Sequence, residues 1–100
     1  MAGKIFAIDT RTFQKKGDAR NFFKSMLNRY RVGDVVTGTD DADLRALLKR
    51  HTEYRKKLGS GIDRFEVMAN LYGTQSFKIV RTDGTADDFS YVHCITPKKD

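Results

Sequence analysis

Four side chains of this 100-residue chain could together act on a phosphodiester bond: His51, Arg81, Asp83 and Asp88. A histidine can serve as a general base, an arginine can stabilise the charge of a phosphorane, and carboxylates can hold a divalent ion. This chemistry requires that a helix end, a strand end and a turn meet at one edge of a sheet. Each group also has a structural explanation, because Asp83 suits a turn and a partly cationic His51 suits the last carbonyls of a helix. A metal- or histidine-dependent nuclease is therefore the third of three hypotheses.

Other reactive side chains do not form a catalytic pattern. The aspartates at positions 83, 87 and 88 have a spacing that matches no calcium loop. We expect Ser90 and His93 on opposite faces of a strand, and no strand–turn–helix elbow surrounds the serine. Cys94 is the single cysteine, and such a residue suits a small buried position. We expect no catalytic residue, no metal site and no cofactor, and hence a protein that is not an enzyme.

The basic residues are concentrated in the first part of the chain. Residues 1–61 carry fourteen Lys/Arg against seven Asp/Glu, whereas residues 62–95 carry three against five, within a formal net charge of +6. This asymmetry suggests an anionic partner. Cations on adjacent helical turns can follow successive phosphates and release counterions. The predicted phosphate contacts span a helix, a break and a helix: Arg45, Lys49, Arg50, Arg55, Lys56 and Lys57.

Aromatic side chains and one further arginine are candidates for contacts to bases. Tyr72 and Arg81 are the predicted base-proximal residues, and Tyr91 is a further candidate for exposure because a phenol needs a polar partner. Sheet aromatics can stack on bases. Aromatics at strand spacing more often belong to a core, however, which is the explanation that we favour for three of the four sheet aromatics: Phe65, Phe77 and Phe89.

Apolar residues at helical spacing predict the elements that carry the basic cluster. The apolar run Lys4 to Asp9, extended towards Phe13, predicts a first strand. A helix is expected near residues 18–30, with Asp18 as its N-cap, and a second near residues 40–50, opened by Thr39. Thr52 is the expected cap of a short third helix that ends at glycines 59 and 61, which supply positive φ.

Three strand patterns follow the helices. Phe65, Val67 and Ala69 alternate with Arg64, Glu66 and Met68, and the same two-residue period continues in residues 77–80 and 89–95. Asp83 and Gly84 predict a two-residue type I′ turn, in which both residues have φ > 0. The predicted fold is therefore α+β: an N-terminal strand, two to three helices and a three-stranded antiparallel meander packed against the helices.

Length and composition predict one domain over residues 1–100. The single cysteine excludes an internal disulfide and suits a reducing compartment. The N-terminal apolar run is too short for a signal peptide or a membrane span, so we expect a cytoplasmic, monomeric protein with no membrane contact.

Several motifs, in this order and spacing, resemble the DCL-like domain, named after the plant protein "defective chloroplasts and leaves". They are Phe22-Phe23 to Gly33, Leu44-Arg-Ala-Leu-Leu48-Lys-Arg-His51, Lys57-Leu-Gly59-Ser-Gly61-Ile-Asp-Arg-Phe65, Phe77-Lys-Ile-Val-Arg81-Thr-Asp83-Gly84 and Asp87-Asp-Phe89-Ser-Tyr91. Thr52 departs from the pattern, in which we expect proline. The resemblance covers most of the chain. It implies no established enzyme activity, and it implies an association with RNA, since members are connected with ribosomal RNA maturation and with a plant RNA polymerase.

Two binding hypotheses therefore precede the nuclease. The first is a non-catalytic module that associates with RNA or a ribonucleoprotein through the basic helical surface. The alternative is a protein–protein adaptor that docks on a transcription or ribosome-associated partner through an apolar patch near Leu71 or through the hairpin at Asp83.

Overall fold

The computed structural model describes residues 5–71 and 73–96. Helices and strands follow in the order β1 (Phe6–Ile8), β2 (Arg11–Phe13), α1 (Lys16–Asn28), α2 (Gly38–Leu48), α3 (Tyr54–Leu58), β3 (Ile62–Ala69), β4 (Gln75–Arg81), β5 (Ala86–Phe89) and α4 (Tyr91–Ile95). This order confirms the predicted α+β class. Within the described residues, no helix has the length and apolar character needed to span a membrane. Lys4 and Tyr72 lie outside the described residues.

The predicted single N-terminal strand is a two-stranded hairpin. Strand β1 pairs antiparallel with β2, so that Phe6 lies opposite Phe13 and Ile8 lies opposite Arg11. The chain reverses at residues 9 and 10, which carry no glycine and therefore gave no turn signal. Phe6 and Phe13 are buried, and the ring of Phe13 lies 6.2 Å from that of Phe23 in α1. The hairpin thus closes one end of the core.

The helices begin earlier than the capping residues indicated. Helix α1 starts at Lys16, and Lys15 takes the N-cap position with no side-chain hydrogen bond. Asp18 lies inside the first turn, where its carboxylate meets the helix dipole without capping. Helix α2 likewise starts at Gly38, so Thr39 lies inside it, and Thr37 takes the N-cap position. The apolar stripes nevertheless face the core, as the spacing predicted.

Two carboxylates of α2 are buried, which the sequence did not indicate. Arg11 donates to Asp43 through Nε (3.3 Å) and Nη2 (3.0 Å), and Asp43 is 2% exposed. Asp40 accepts from Tyr30 Oη at 2.6 Å and from Arg29 Nη2 at 3.1 Å. Burial alone would raise the pKa of Asp40, but these two donors hold it below its ordinary value. Both ion pairs tie α2 to neighbouring elements.

The sheet has the order β3-β4-β5, with both pairs antiparallel. Its register places Val67 opposite Phe77 and Phe77 opposite Phe89, and all three side chains are buried under the helices. Phe65 is also buried, so the phenylalanines of the sheet belong to the core and do not form a surface for stacking bases.

The hairpin between β4 and β5 differs from the predicted turn. Gly84 N donates to Arg81 O at 3.0 Å, and Arg81 N donates to Thr85 O at 2.8 Å. Gly84 has φ +87°, whereas Asp83 does not have a positive φ. The loop is therefore a three-residue turn closed by a glycine bulge, because only one residue supplies the left-handed conformation.

The predicted third strand ends at Phe89, and residues 91–95 form helix α4 instead. Ser90 Oγ accepts from His93 N at 3.2 Å and caps this helix. Cys94 and Ile95 face the core together. The five residues of α4 read as a strand because one helical turn is too short to establish a period.

Part of each edge of the sheet has its main-chain groups engaged. The connector before α2 runs along β3, where Val36 N donates to Phe65 O (2.9 Å) and Gly33 N donates to Val67 O (2.8 Å). At the β5 edge, Asp88 O accepts from Lys57 Nζ at 3.1 Å, and Asp88 N donates to Asp87 Oδ1 at 2.8 Å.

Candidate nucleic-acid interface and the histidine cleft

A cleft of about 500 Å³ opens between α3 and α4. The α2–α3 junction and α3 supply one side of it, and α4 with its two flanking residues supplies the other. Its lining includes His51, Glu53, Lys57, Ser90, His93 and Thr96. We call this feature the histidine cleft; Asp88, at the β5 edge, also lines it.

The two histidines of the chain lie against each other in this cleft. Their ring centroids are 4.4 Å apart at an interplanar angle of 43°. His51 Nδ1 accepts from Glu53 N at 2.9 Å, so a neutral His51 carries its proton on Nε2. His93 Nε2 lies 2.8 Å from Thr52 Oγ1. Thr52 therefore holds His93 and does not cap α3, for which Glu53 takes the N-cap position.

The environment of His51 favours its neutral form. The side chain is buried, and burial, His93 and Lys57 together lower the pKa of His51 below its ordinary value. The expected partly cationic ring at the end of a helix is thus replaced by a neutral ring that accepts a backbone hydrogen bond.

Lys57 and Arg81 belong to an ion-pair network beside the cleft. Lys57 Nζ lies 3.1 Å from Asp87 Oδ2 and 3.5 Å from Asp88 Oδ1, and its side chain is only 14% exposed. Arg81 donates through Nε to Lys57 O at 2.8 Å and through Nη2 to Asp87 Oδ2 at 3.4 Å. Burial would raise the pKa of Asp87, but the bond from Lys57 holds it low. Lys57, a predicted phosphate contact, and Arg81, a predicted base contact, are therefore both bound to groups within the fold.

The remaining predicted phosphate-contacting residues differ in whether other groups of the fold already bind their charge. Arg45 clamps α2 to β3, because it donates to Asp41 Oδ2 (2.8 Å) and to the carbonyl of Ile62 (3.2 Å). Lys49 Nζ pairs with Asp9 Oδ2 at 2.6 Å, although its side chain remains 55% exposed.

Three cations around α3 point to solvent. Arg50 and Arg55 are exposed and have no ion-pair partner among residues 5–71 and 73–96. The guanidinium of Arg50 lies over the Phe6 ring at 5.1 Å and is not neutralised by any carboxylate of the described residues. Lys56 makes only a distant pair with Glu53 at 4.0 Å. We call Arg50, Arg55 and Lys56 the α3 cations.

A second cationic group lies on α1 and was not recognised as a site from the sequence. Lys16, Arg20 and Lys24 follow one another at intervals of four residues, so they share one face of the helix. Arg20 Nη1 donates to Thr96 Oγ1 at 2.9 Å, and Thr96 lines the histidine cleft. The four-residue spacing was visible in the sequence, but the contact that brings this α1 stripe to the cleft depends on the position of α4.

The four residues considered for a nuclease do not converge. His51 and Asp88 line the cleft, whereas Asp83 Oδ1 accepts from Thr85 N (3.0 Å) and Thr85 Oγ1 (2.6 Å) within the hairpin loop. These bonds lower the pKa of Asp83. The two imidazole rings contact each other directly, with centroids 4.4 Å apart, so they leave no space between them for the phosphorus atom that a general acid and a general base would flank.

The other reactive side chains have structural roles. The expectation that Ser90 and His93 lie on opposite strand faces is wrong, because they form the first turn of α4; the serine oxygen accepts the backbone N–H of His93. Burial raises the pKa of Cys94 to about 12. Tyr91 is half-buried, edge-on to Phe77 at 6.2 Å, and burial raises its pKa. Among the described residues, no three His, Cys, Asp or Glu side chains are placed to hold a metal ion.

Residues 24–95 match the model of the family described as protein of unknown function (DUF3223). The chain belongs to this family. Similar proteins include DNA-directed RNA polymerase IV subunit 1 of Arabidopsis thaliana, 30% identical over 72% of this chain and 5% of the relative. Protein EMBRYO DEFECTIVE 514 of the same plant is 42% identical over 52% of this chain and 26% of the relative. The chain therefore spans 5% and 26% of the lengths of these two relatives.

A solved structure has the same fold as this DUF3223 domain. The NMR structure of an uncharacterized protein from Rhodospirillum rubrum is 48% identical, with a TM-score of 0.84, over 89% of this chain and 86% of that chain. Together with the family match, these relatives are consistent with the DCL-like domain, and the resemblance found in the sequence is confirmed. The DUF3223 match includes the residues of the histidine cleft up to Ile95, and it begins after Lys16 and Arg20 of the α1 stripe.

Proposed function

We infer that this DUF3223 domain is a non-catalytic module that associates with RNA, or with an RNA-containing complex, through the cations around the histidine cleft. The observation that carries this proposal is the exposure of the α3 cations. Arg50 and Arg55 have no acidic partner among the described residues, and Lys56 has only the distant pair with Glu53 at 4.0 Å, while several other acidic side chains are engaged in pairs elsewhere in the fold. Uncompensated surface cations release counterions from a phosphate backbone, and this release drives association.

Two further observations support the proposal. The α1 stripe adds three more cations, one of which contacts the cleft through Thr96. One relative is a subunit of a DNA-directed RNA polymerase, so a related domain occurs in a protein that works with nucleic acid. The cationic surface on this chain is the part that could contact RNA in such a complex.

The test is a titration of the purified chain with single-stranded and with structured RNA at two salt concentrations, about 50 mM and about 200 mM. We expect the affinity to fall steeply with salt. Arg55→Gln and Lys56→Gln should each lower the slope of log K against log salt by about one unit if the residue contacts a phosphate. The control is Lys78→Gln, which removes the same charge from the outer face of the sheet, where Lys78 pairs with Glu66 at 3.7 Å. Absence of binding at low salt, or tight binding that ignores salt, would refute the proposal.

A second candidate function is that of a protein–protein adaptor, favoured by one observation. Leu71 is 99% exposed, and it borders a mostly apolar pocket of about 330 Å³ that Met68 and Ala69 also line. Exposed apolar groups of this kind occur at docking sites. A pull-down of partners by the wild-type chain would be compared with two variants. Arg55→Glu with Lys56→Glu should abolish an RNA contact, whereas Leu71→Ser should abolish an apolar one; capture that survives nuclease and is lost only in Leu71→Ser would select the adaptor.

A further inference from the structure

The histidine cleft has an unusual charge balance for a site on a basic surface. Its lining carries one ammonium group, Lys57, against two carboxylates, Glu53 and Asp88, while His51 is neutral. A phosphate that entered this space would meet a net negative lining. Its entry therefore has to be accompanied by a gain of positive charge, and the histidine pair is the group that can gain it near neutral pH.

The donors needed for a phosphate are already arranged around the cleft. His51 Nδ1 is occupied by Glu53 N, so its Nε2–H is the polar hydrogen left for a ligand. Ser90 Oγ accepts the backbone N–H of His93 and keeps its own hydrogen. Lys57 Nζ lies at the same lining, held by Asp87 and Asp88. The Arg20–Thr96 contact brings a further cation to the end of the cleft.

We propose that one phosphate of the RNA backbone enters the histidine cleft and that the His51–His93 pair takes up a proton as it binds. This inference rests on the proposed RNA association and specifies how one part of the surface performs it. The groups that face His51 are His93 from α4, Lys57 from α3, Glu53 from the junction, and Asp87 from β5. His93 and Lys57 disfavour protonation of His51 in the free protein. The negative charge of a bound phosphate favours protonation.

Proton uptake makes RNA affinity depend on pH in a defined direction. Binding strengthens as pH falls, by up to about tenfold per pH unit for one proton, because linkage equates the slope of log K to the number of protons taken up. The direction is reciprocal, so RNA must also shift the titration of the histidine rings towards higher pH. A surface that contacts phosphates only through Lys and Arg would have no such slope in this range.

The experiment measures the affinity of the full chain for an oligouridylate, whose bases do not titrate in the range used, between about pH 8 and about pH 5.5 at constant salt. We expect the wild-type slope to be lost in the double variant His51→Gln with His93→Gln and reduced in His93→Gln alone. Glutamine at position 93 retains an amide that can hydrogen-bond to Thr52. Titratable groups present in all variants contribute equally to each pH slope, so their contribution cancels when the slopes are compared. Lys24→Gln is the matched control, because it should weaken binding equally at every pH and keep the slope.

The outcomes separate the two levels of the proposal. Salt-dependent RNA binding whose pH slope is unchanged in both histidine variants would overturn the proton-linked cleft and leave the RNA module standing. No RNA binding at any pH would overturn both. If the double variant does not fold, His93→Gln alone provides the test, because His93 is only half-buried. The NMR resonances of the wild-type histidine rings must then also shift on addition of oligouridylate.

Discussion

The ion pair between Arg11 and Asp43 compensates a carboxylate that is almost fully buried. Removing the guanidinium leaves this charge unpaired in the core, which costs about 3 kcal/mol. We predict this loss of unfolding free energy for Arg11→Met, a change that keeps an apolar stem over the Phe22 ring, 4.3 Å from the guanidinium in the wild type. The measurement is urea unfolding. Arg31→Met, at an exposed position, is the control and should change stability by less than about 0.5 kcal/mol.

His51 makes the stability of the protein depend on pH. Its pKa in the folded state lies below the value of about 6.5 expected in the unfolded chain. The unfolded state therefore binds the proton first, and stability that is fully present above about pH 6.5 is lost as pH falls through the folded pKa. Unfolding free energies measured from pH 8 downwards should decline in this window. A decline of equal size in His51→Gln would assign the effect to other groups.

At the scale of elements, the turn after α3 depends on one glycine. Gly59 has φ +53° and ψ −123°, and a Cβ there would lie 2.8 Å from Arg81 Cδ. Gly59→Ala should therefore cost about 2 kcal/mol or more, through backbone strain and through displacement of the Arg81 contact to Lys57. Gly84→Ala, also at positive φ but with open space, is the comparison, and it should cost about 1 kcal/mol. Equal losses in thermal unfolding would show that the close approach to Arg81 does not matter.

The sequence predicted best the elements whose apolar pattern repeats over many residues. The apolar stripe of α1 and the alternation in β3 and β4 were recognisable because each extends over several residues. Helix α4 was missed because Ser90 decides its start and only five residues follow. The basic cluster was visible in the sequence. Which of its cations lack an acidic partner was not visible, because a partner can lie far away in the chain, as Asp9 lies 40 residues from Lys49. The contact between His51 and His93 was missed because these residues also lie far apart in the chain.

At the scale of the whole molecule, the core extends beyond the segment that the family model matches. Residues 24–95 lack the N-terminal hairpin and the first eight residues of α1, and with them several buried side chains: Phe6, Ile8, Phe13, Ala19 and Phe23. They also lack Arg11, so Asp43 would remain buried without its partner. We predict that the isolated segment 24–95 has no cooperative thermal transition by circular dichroism, in contrast to the full chain. A cooperative transition near that of the full chain would show that the hairpin is dispensable.

The occupied sheet edges determine how this domain can be recognised. An extended peptide that joined the sheet by β-augmentation would need free backbone groups along β3 or β5. The connector before α2 already occupies the first edge, and Lys57 and Asp87 occupy the groups of Asp88 at the second. A fourth strand added beside β5 would have to displace Lys57 from the carbonyl of Asp88, next to the histidine cleft. Strand addition at these positions is therefore disfavoured, and an interface that leaves the sheet edges intact has to be built from side chains such as the α3 cations.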